Sequence, residues 1–275
     1  MSAATLPDRP VIGILHPGAM GAALGSALKP VAGAVIWAAA GRSVRTSKRA
    51  ETADLVGVPD LVELARRSDV IVSICPPHAA RDVAGQVAQA LTDRPERPLY
   101  VDANAVSPAT VEAIAALLGA DHVVDGAVIG PPAWEAGGTV LWLSGARAAQ
   151  VAALFAGSPF DARVLGTDLG AASALKAIFG LQSRAAPALW LEMSRAARAY
   201  GVEDALAGEL ARDEIDYAAR LDEVTRRSAA KAWRWAGEMD EAAATFAAVG
   251  LPDGFSRAAA AIYRETARRQ SSPEV

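Results

Sequence analysis

Apolar residues occur in short unbroken runs up to residue 166 and at spacings of three and four beyond it. The runs VIGIL (11–15), AVIW (34–37), DVIVSIC (69–75), PLYVDA (98–103), HVVDGAVI (122–129), TVLWLS (139–144) and ARVLG (162–166) predict strands. Several are apolar throughout, as strands buried on both faces must be. Ala-rich stretches at 19–28, 60–67, 79–91, 108–118 and 147–156 predict helices between them, and Ser107 followed by Pro108 suits an N-cap and first helical position. This alternation predicts an α/β fold: a Rossmann-like doubly wound parallel sheet over 1–166. From 167 to 275 only helical patterning remains, predicting an all-α domain. Trp235, Met239, Ala242 and Phe246 share one face there and read as core.

The segment VIGILHPGAMGAALGSAL (11–28) has no charged side chain, but His16, Pro17, Gly18 and Gly21 interrupt it where a membrane-spanning helix would be continuous. It reads instead as strand, sharp turn and helix. Such a turn presents unpaired amide N–H groups and the positive end of a helix dipole, which together bind a pyrophosphate. Against the fingerprint G-x-G-x-x-G, the register is His16-Pro17-Gly18-Ala19-Met20-Gly21. The first glycine is replaced by His16, which must take the tight-turn conformation. Gly18 admits phosphate oxygens close to the backbone, and Gly21 lets the helix pack on the sheet.

The second strand bears on which dinucleotide fits. An acid about 20 residues after the glycines accepts from the ribose 2′-OH of NAD. Here WAAAGRSVRTSKR (37–49) has none before Glu51, while Arg42 and Ser43 offer a guanidinium and a hydroxyl to a 2′-phosphate. NADP is therefore the expected cofactor. Cys75, which ends a strand run, and Pro76, Pro77 and His78 after it stand at the edge where a dinucleotide lies; Cys75 reads as packed strand rather than a nucleophile, and His78 as a surface residue at a helix N-terminus.

Composition narrows the class. The net charge of −4 argues against nucleic-acid or membrane-surface binding as a main role. One cysteine excludes an internal disulfide and fits a reducing compartment, so a cytoplasmic location is expected. Three dispersed histidines suggest no metal site.

The motifs GILHPGAMG, GRS, CPP, VDANAVSP and GAASALK, in this order, resemble the β-hydroxyacid dehydrogenase superfamily, which includes 6-phosphogluconate dehydrogenase. The likeness covers nearly the whole chain. SALKAIFGLQSRAAPALWLE (173–192) and EMDEAAATFAAVGLPDGF (238–255) are similar to a bacterial branch whose C-terminal helical domain has no assigned function. The resemblance implies that Lys176 is the catalytic acid/base. Its surroundings agree, because it is the only ionisable residue between Asp168 and Arg184, and desolvation would bring its pKa toward a useful range.

Other motifs depart from the family. In Asp102-Ala103-Asn104-Ala105-Val106-Ser107-Pro108, Asn104 retains the capacity to hydrogen-bond cofactor or substrate and Ala105 does not. Ile129, Gly130 and Pro131 stand where the family has a Ser-Gly-Gly substrate loop, and Gly180 replaces an asparagine one turn after the lysine. Arg184 could meet an anionic substrate or a neighbouring subunit's acid. The resemblance therefore implies a hydride-transferring oxidoreductase acting on a small hydroxyacid-like, alcohol or carbonyl substrate. It also implies a homodimer through the helical domain. The alternatives are an imine reductase and a non-catalytic NADPH-binding sensor or scaffold.

Overall fold

The computed structural model describes residues 5–94, 96–229 and 231–271. By internal contacts the chain divides into two compact units, Met1–Lys176 and Ala177–Val275. The expected change of character at 166/167 coincides with the end of the last strand. The contact boundary falls later because the first turns of the next helix bond to the sheet, through Ala172 and Ser173.

In the first unit the apolar runs fold as β1 (Val11–Ile14), β2 (Ala34–Ala38), β3 (Val56–Val58), β4 (Val70–Ser73), β5 (Leu99–Asp102), β6 (Val123–Ile129), β7 (Val140–Ser144) and β8 (Asp161–Gly166). They form one sheet in the order β3-β2-β1-β4-β5-β6-β7-β8. The helices are α1 (Ala19–Leu28), α2 (Val44–Thr52), α3 (Leu61–Arg67), α4 (Ala80–Ala90), α5 (Pro108–Leu118), α6 (Ala148–Leu154) and α7 (Ala171–Gly180). Alternate strand residues face opposite sides of the sheet. Ile12, Ile14, Val72 and Val101 therefore join one buried cluster, and Ile36, Ile71 and Tyr100 join the other. Fully burying each such aliphatic side chain contributes roughly 1.5–3 kcal/mol.

Three features correct the sequence reading. The strands β1 to β6 are parallel, but β7 runs antiparallel to β6 and β8 parallel to β7. The connection 130–139 holds no helix, and parallel strands need a longer crossover, so the chain must reverse. The second feature is α2, which takes up the basic stretch after β2. Ser43 caps it by accepting from Thr46 N–H at 3.3 Å. The third is β3, a short edge strand with only Val58 buried.

The second unit begins inside a continuous helical run. One π-helical turn, Leu181–Ala185, follows α7 and leads into α8 (Ala186–Tyr200). Pro187, early in α8, supplies no N–H to the preceding turn, which accounts for the irregularity there. The remaining helices are α9 (Glu203–Arg212), α10 (Tyr217–Ala229), α11 (Ala232–Ala248) and α12 (Gly254–Ser271). The stripe read as core is buried at Trp235, Met239 and Ala242, against Ala259, Ala260 and Tyr263 of α12. The Trp235 and Tyr263 rings meet edge to face at 5.3 Å, and the Tyr263 hydroxyl donates to Arg184 O at 2.7 Å. No helix among the described residues is long and apolar enough to cross a membrane, and no group of His, Cys, Asp or Glu among them is placed to hold a metal.

Trp235→Ala should remove the largest contact of this helical core and cost about 3–5 kcal/mol. Urea denaturation followed by circular dichroism checks it. A midpoint equal to the wild type's would refute this description of the core.

Candidate active site at the carboxyl edge of the sheet

Strand β1 ends at Ile14, and Leu15 N–H still donates to Val72 O at 3.1 Å. The chain then turns over His16 and Pro17. Gly18 N–H donates to His16 O at 2.8 Å, and Ala22 N–H donates to Gly18 O at 2.9 Å, which opens α1. The amides of Ala19, Met20 and Gly21 precede that bond and have no acceptor within the helix. No side chain caps this end. A side chain on Gly18 would meet nothing within 4 Å, so the backbone is open there, whereas a Cβ on Gly21 would collide with the His16 carbonyl.

Gly21 brings the helix close to the strand ends, since a Cβ there would also lie 3.2 Å from Ile74 Cγ2, and Gly25 does the same one turn on, where a Cβ would lie 3.2 Å from Ile14 Cγ1 and 3.0 Å from Leu55 Cδ2. His16 makes the turn without a left-handed conformation: among the described non-glycine residues only Asp54 and Glu214 have positive φ. The His16 Nδ1 is buried with no hydrogen-bond partner. Burial, then the Arg42 charge, brings its pKa down to about 4, so the ring is neutral at pH 7.

Arg42 spans the ends of two strands. Its Nε donates to Ala38 O at 3.3 Å and its Nη2 to Leu15 O at 2.9 Å. Two of the five guanidinium donors are thus placed on backbone carbonyls, beside His16 and at the start of α2. Ser43 is exposed as the α2 N-cap.

Across β4 to β7 one register level carries a polar row: Ser73 beside Asp102, Asp102 beside Asp125, Asp125 beside Ser144. All four are buried. Asn104 ties the row to the chain after β4. Its Nδ2 donates to Asp102 Oδ2 at 2.9 Å and to Ser73 Oγ at 3.2 Å, while its Oδ1 accepts from Cys75 N–H at 2.6 Å. Burial raises Asp102 to about 7; the Asn104 bonds and the Lys176 charge pull the other way, and the neighbouring Asp125 adds to the rise. Burial likewise raises Asp125, opposed by bonds from Ser173 and Ser144. Lys176, half-buried on α7, is thus close enough to act electrostatically on Asp102. Cys75 is pushed up to about 12, chiefly by burial, so its thiol is inert near neutrality.

Residues 197–266 match the model described as "Domain of unknown function (DUF1932)". An uncharacterised 28.5 kDa protein from the 7S RNA 5′ region of Methanothermus fervidus is 30% identical over 167 residues, covering 60% of this chain and 62% of that relative's length. A conserved protein of unknown function, whose structure has similarity with 3-hydroxyacid dehydrogenases, superposes with TM-score 0.65 at 25% identity, over 96% of this chain and all of that one. The 3-hydroxyisobutyrate dehydrogenase of Mycobacterium tuberculosis, solved with L-serine, superposes with TM-score 0.65 at 17% identity over 94% of each chain. The chain has the 3-hydroxyacid dehydrogenase fold.

Within that dehydrogenase fold, residues 16–21, Arg42, Cys75, Pro76, Asn104 and Lys176 gather along the carboxyl ends of β1, β2, β4 and β5, where open α/β sheets bind ligands. Pro77 is buried at the start of a single 3₁₀ turn. Ile129 ends β6, paired with Val140 of β7, and Gly130 and Pro131 begin the reversal after it. Gly130 has φ 137°, and the Thr139 hydroxyl closes the turn onto Pro131 O at 2.6 Å. Gly180 and Arg184 have their described partners in the helical unit. A Cβ on Gly180 would lie 3.1 Å from Met239 Cε, and Arg184 bonds Glu238 at 3.1 Å while lying 4.7 Å over the Trp235 ring. The sequence reading missed Asp125, Ser144 and Ser173 and gave Asp102 no role. The available signal was an acid inside an otherwise apolar strand, since acids are almost never buried without partners.

Asp102 has a pH signature. Its folded pKa lies above the ordinary 3.8, so the fold gains stability from it below that value and loses the gain as pH rises through about 7. Asp102→Asn removes the loss. Relative to wild type, the variant should gain on the order of 2–3 kcal/mol between pH 5 and pH 8 in urea denaturation. His16 acts in the opposite sense between about 4 and 6.5 but is common to both proteins. A wild-type-to-variant difference independent of pH would contradict the buried acid.

Proposed function

We propose that this protein is an NADP-dependent oxidoreductase acting on a small hydroxyacid-like, alcohol or carbonyl substrate, with Lys176 as general acid/base. The observation that carries this is a polar row across the strand ends between the α1 turn and Lys176. Arg42 donates to Leu15 O at that turn; on the next strands the Cys75 amide bonds Asn104 and Asn104 bonds Asp102, on which the Lys176 charge bears. The fold shared with a 3-hydroxyisobutyrate dehydrogenase supports the same class.

The residues fit a dinucleotide. Three α1 amides without helical acceptors, the open side of Gly18 and the unpartnered His16 Nδ1 suit a diphosphate and its ribose. No acid stands between Ala38 and Ser43, whereas Arg42 and the α2 N-terminus suit a 2′-phosphate. When bound, the nicotinamide exchanges a hydride with a substrate carbon. Lys176 gives or takes the proton at the substrate oxygen, with Asp102 as an acid on which its charge bears. Asn104 fixes the strand ends on which these groups stand. The reversal at Ile129, Gly130 and Pro131 offers a substrate fewer polar side chains than a Ser-Gly-Gly loop would. In the helical unit, the exposed Leu189, Trp233, Val249 and Phe255 suit a homodimer surface, which light scattering after size exclusion would measure.

Two measurements test the reading. NADPH should raise the melting temperature more than NADH, and Arg42→Ala should abolish the difference; a larger shift with NADH would refute the NADP assignment. With NADPH and a panel of 2- and 3-oxoacids, aldehydes and cyclic imines, Lys176→Ala should lower turnover about 10²–10⁴-fold. Undiminished turnover would remove the lysine from the mechanism, activity confined to imines would favour an imine reductase, and tight NADPH binding without turnover would favour a sensor.

A further inference from the structure

Helix α7 follows Gly170, whose carbonyl accepts from Ala174 N–H at 2.9 Å and which has no side chain to cap the helix. Gly170, at φ 92°, turns the chain so tightly that a Cβ would lie 2.9 Å from Pro108 Cβ and 3.2 Å from its Cα. Ala171 N–H donates to Asp168 O at 3.3 Å, and the next two amides of α7 are satisfied by the sheet. Ala172 N–H donates to Ser144 Oγ at 3.1 Å, and Ser173 N–H donates to Asp125 Oδ2 at 2.8 Å. The Ser173 hydroxyl donates to Asp125 Oδ1 at 2.6 Å, and the Ser144 hydroxyl donates to Asp125 Oδ2 at 3.2 Å.

One carboxylate in the middle of β6 therefore takes three hydrogen bonds, two of them from the first turn of a helix, where a negative charge is also favoured by the helix dipole. Ordinary capping of an exposed helix end costs nothing in burial. This cap places an acid wholly inside the unit, which is expensive, so a buried apolar contact would serve stability as well or better. What it adds is a fixed angular setting for α7 on the sheet. Ser173 and Lys176 are three residues apart and so share a face, one turn from each other. Asp102, the register neighbour of Asp125, is the group on which Lys176 acts.

We propose that Asp125, with Ser144 and Ser173, is a positioning clamp for Lys176: it caps α7 from the sheet and fixes the direction in which the lysine leaves the helix one turn later. The proposal rests on the reading of Lys176 as the general acid/base, and makes Asp125 a positioning residue rather than a catalytic one.

The test reads the lysine itself and needs no substrate. The full chain is acylated with limiting acetic anhydride at fixed pH, and modification of Lys29, Lys48 and Lys176 is followed by peptide mass spectrometry in one sample. In Asp125→Ala the acylation rate of Lys176 should change at least fivefold, with Lys29 and Lys48 within twofold of wild type. Ser144→Ala, the milder change, should move Lys176 in the same direction by a smaller factor, and Asp125→Asn, which keeps an acceptor oxygen of the same shape, should restore part of the wild-type rate. A Lys176 rate unchanged in both Asp125→Ala and Ser144→Ala overturns the clamp, as does a change shared by all three lysines, which is the signature of a loosened fold. Failure of the functional reading is separable: undiminished turnover in Lys176→Ala would remove the lysine's chemical role and leave the acylation result standing.

Discussion

Two carboxylates on neighbouring strands, Asp102 and Asp125, are buried at the same level of one sheet. Such a pair is costly twice over, through lost hydration and through mutual repulsion. Much of the surrounding structure offsets that cost. Asn104 donates twice to the first acid, through its backbone and side-chain amides, and two serines and a helix N-terminus donate to the second. The cation nearest in effect to Asp102 is Lys176. The acids, the asparagine and the lysine are thus one electrostatic unit, and its members would be hard to explain singly.

This unit adjoins the other polar feature of the first unit, the open start of α1. Arg42 pins the ends of β1 and β2, and its charge adds to the burial that keeps the His16 ring uncharged. Asn104 links the chain after β4 to the end of β5. A backbone edge that presents free amides at one side and a hydrogen-bonded acid and lysine at the other suits a ligand with an anionic end and a reacting end, which is the outline of a dinucleotide laid along the sheet.

The parts of the fold legible in sequence were those whose burial left a composition mark. Strands β1, β4, β5 and β6 are apolar over nearly their whole length, and α5 carries its cap in Ser107 and Pro108. Helix α2 escaped because only Ala50 of VRTSKRAET is buried, so it has almost no apolar face to betray its period. Strand β3 is too short and too exposed to alternate. The direction of β7 was hidden because strand periodicity is the same in either sense. In the site, the α1 turn was marked by its glycine spacing, and Lys176 by the family resemblance together with its apolar setting. The clamp was not, since Asp125, Ser144 and Ser173 come from three separated segments, and only strand register brings them together.

The π turn at 181–185 has a bearing on how this long helical run is built. An extra residue in one turn rotates everything after it by roughly 100° relative to an unbroken α-helix. Ala177 and Gly180, before that turn, already pack with the helical core, as do Ala188 and Leu191 after it. The inserted residue therefore lies inside the helical unit and works as a vernier there, resetting the azimuth of residues 186–200 relative to the turns that carry Ala177 and Gly180.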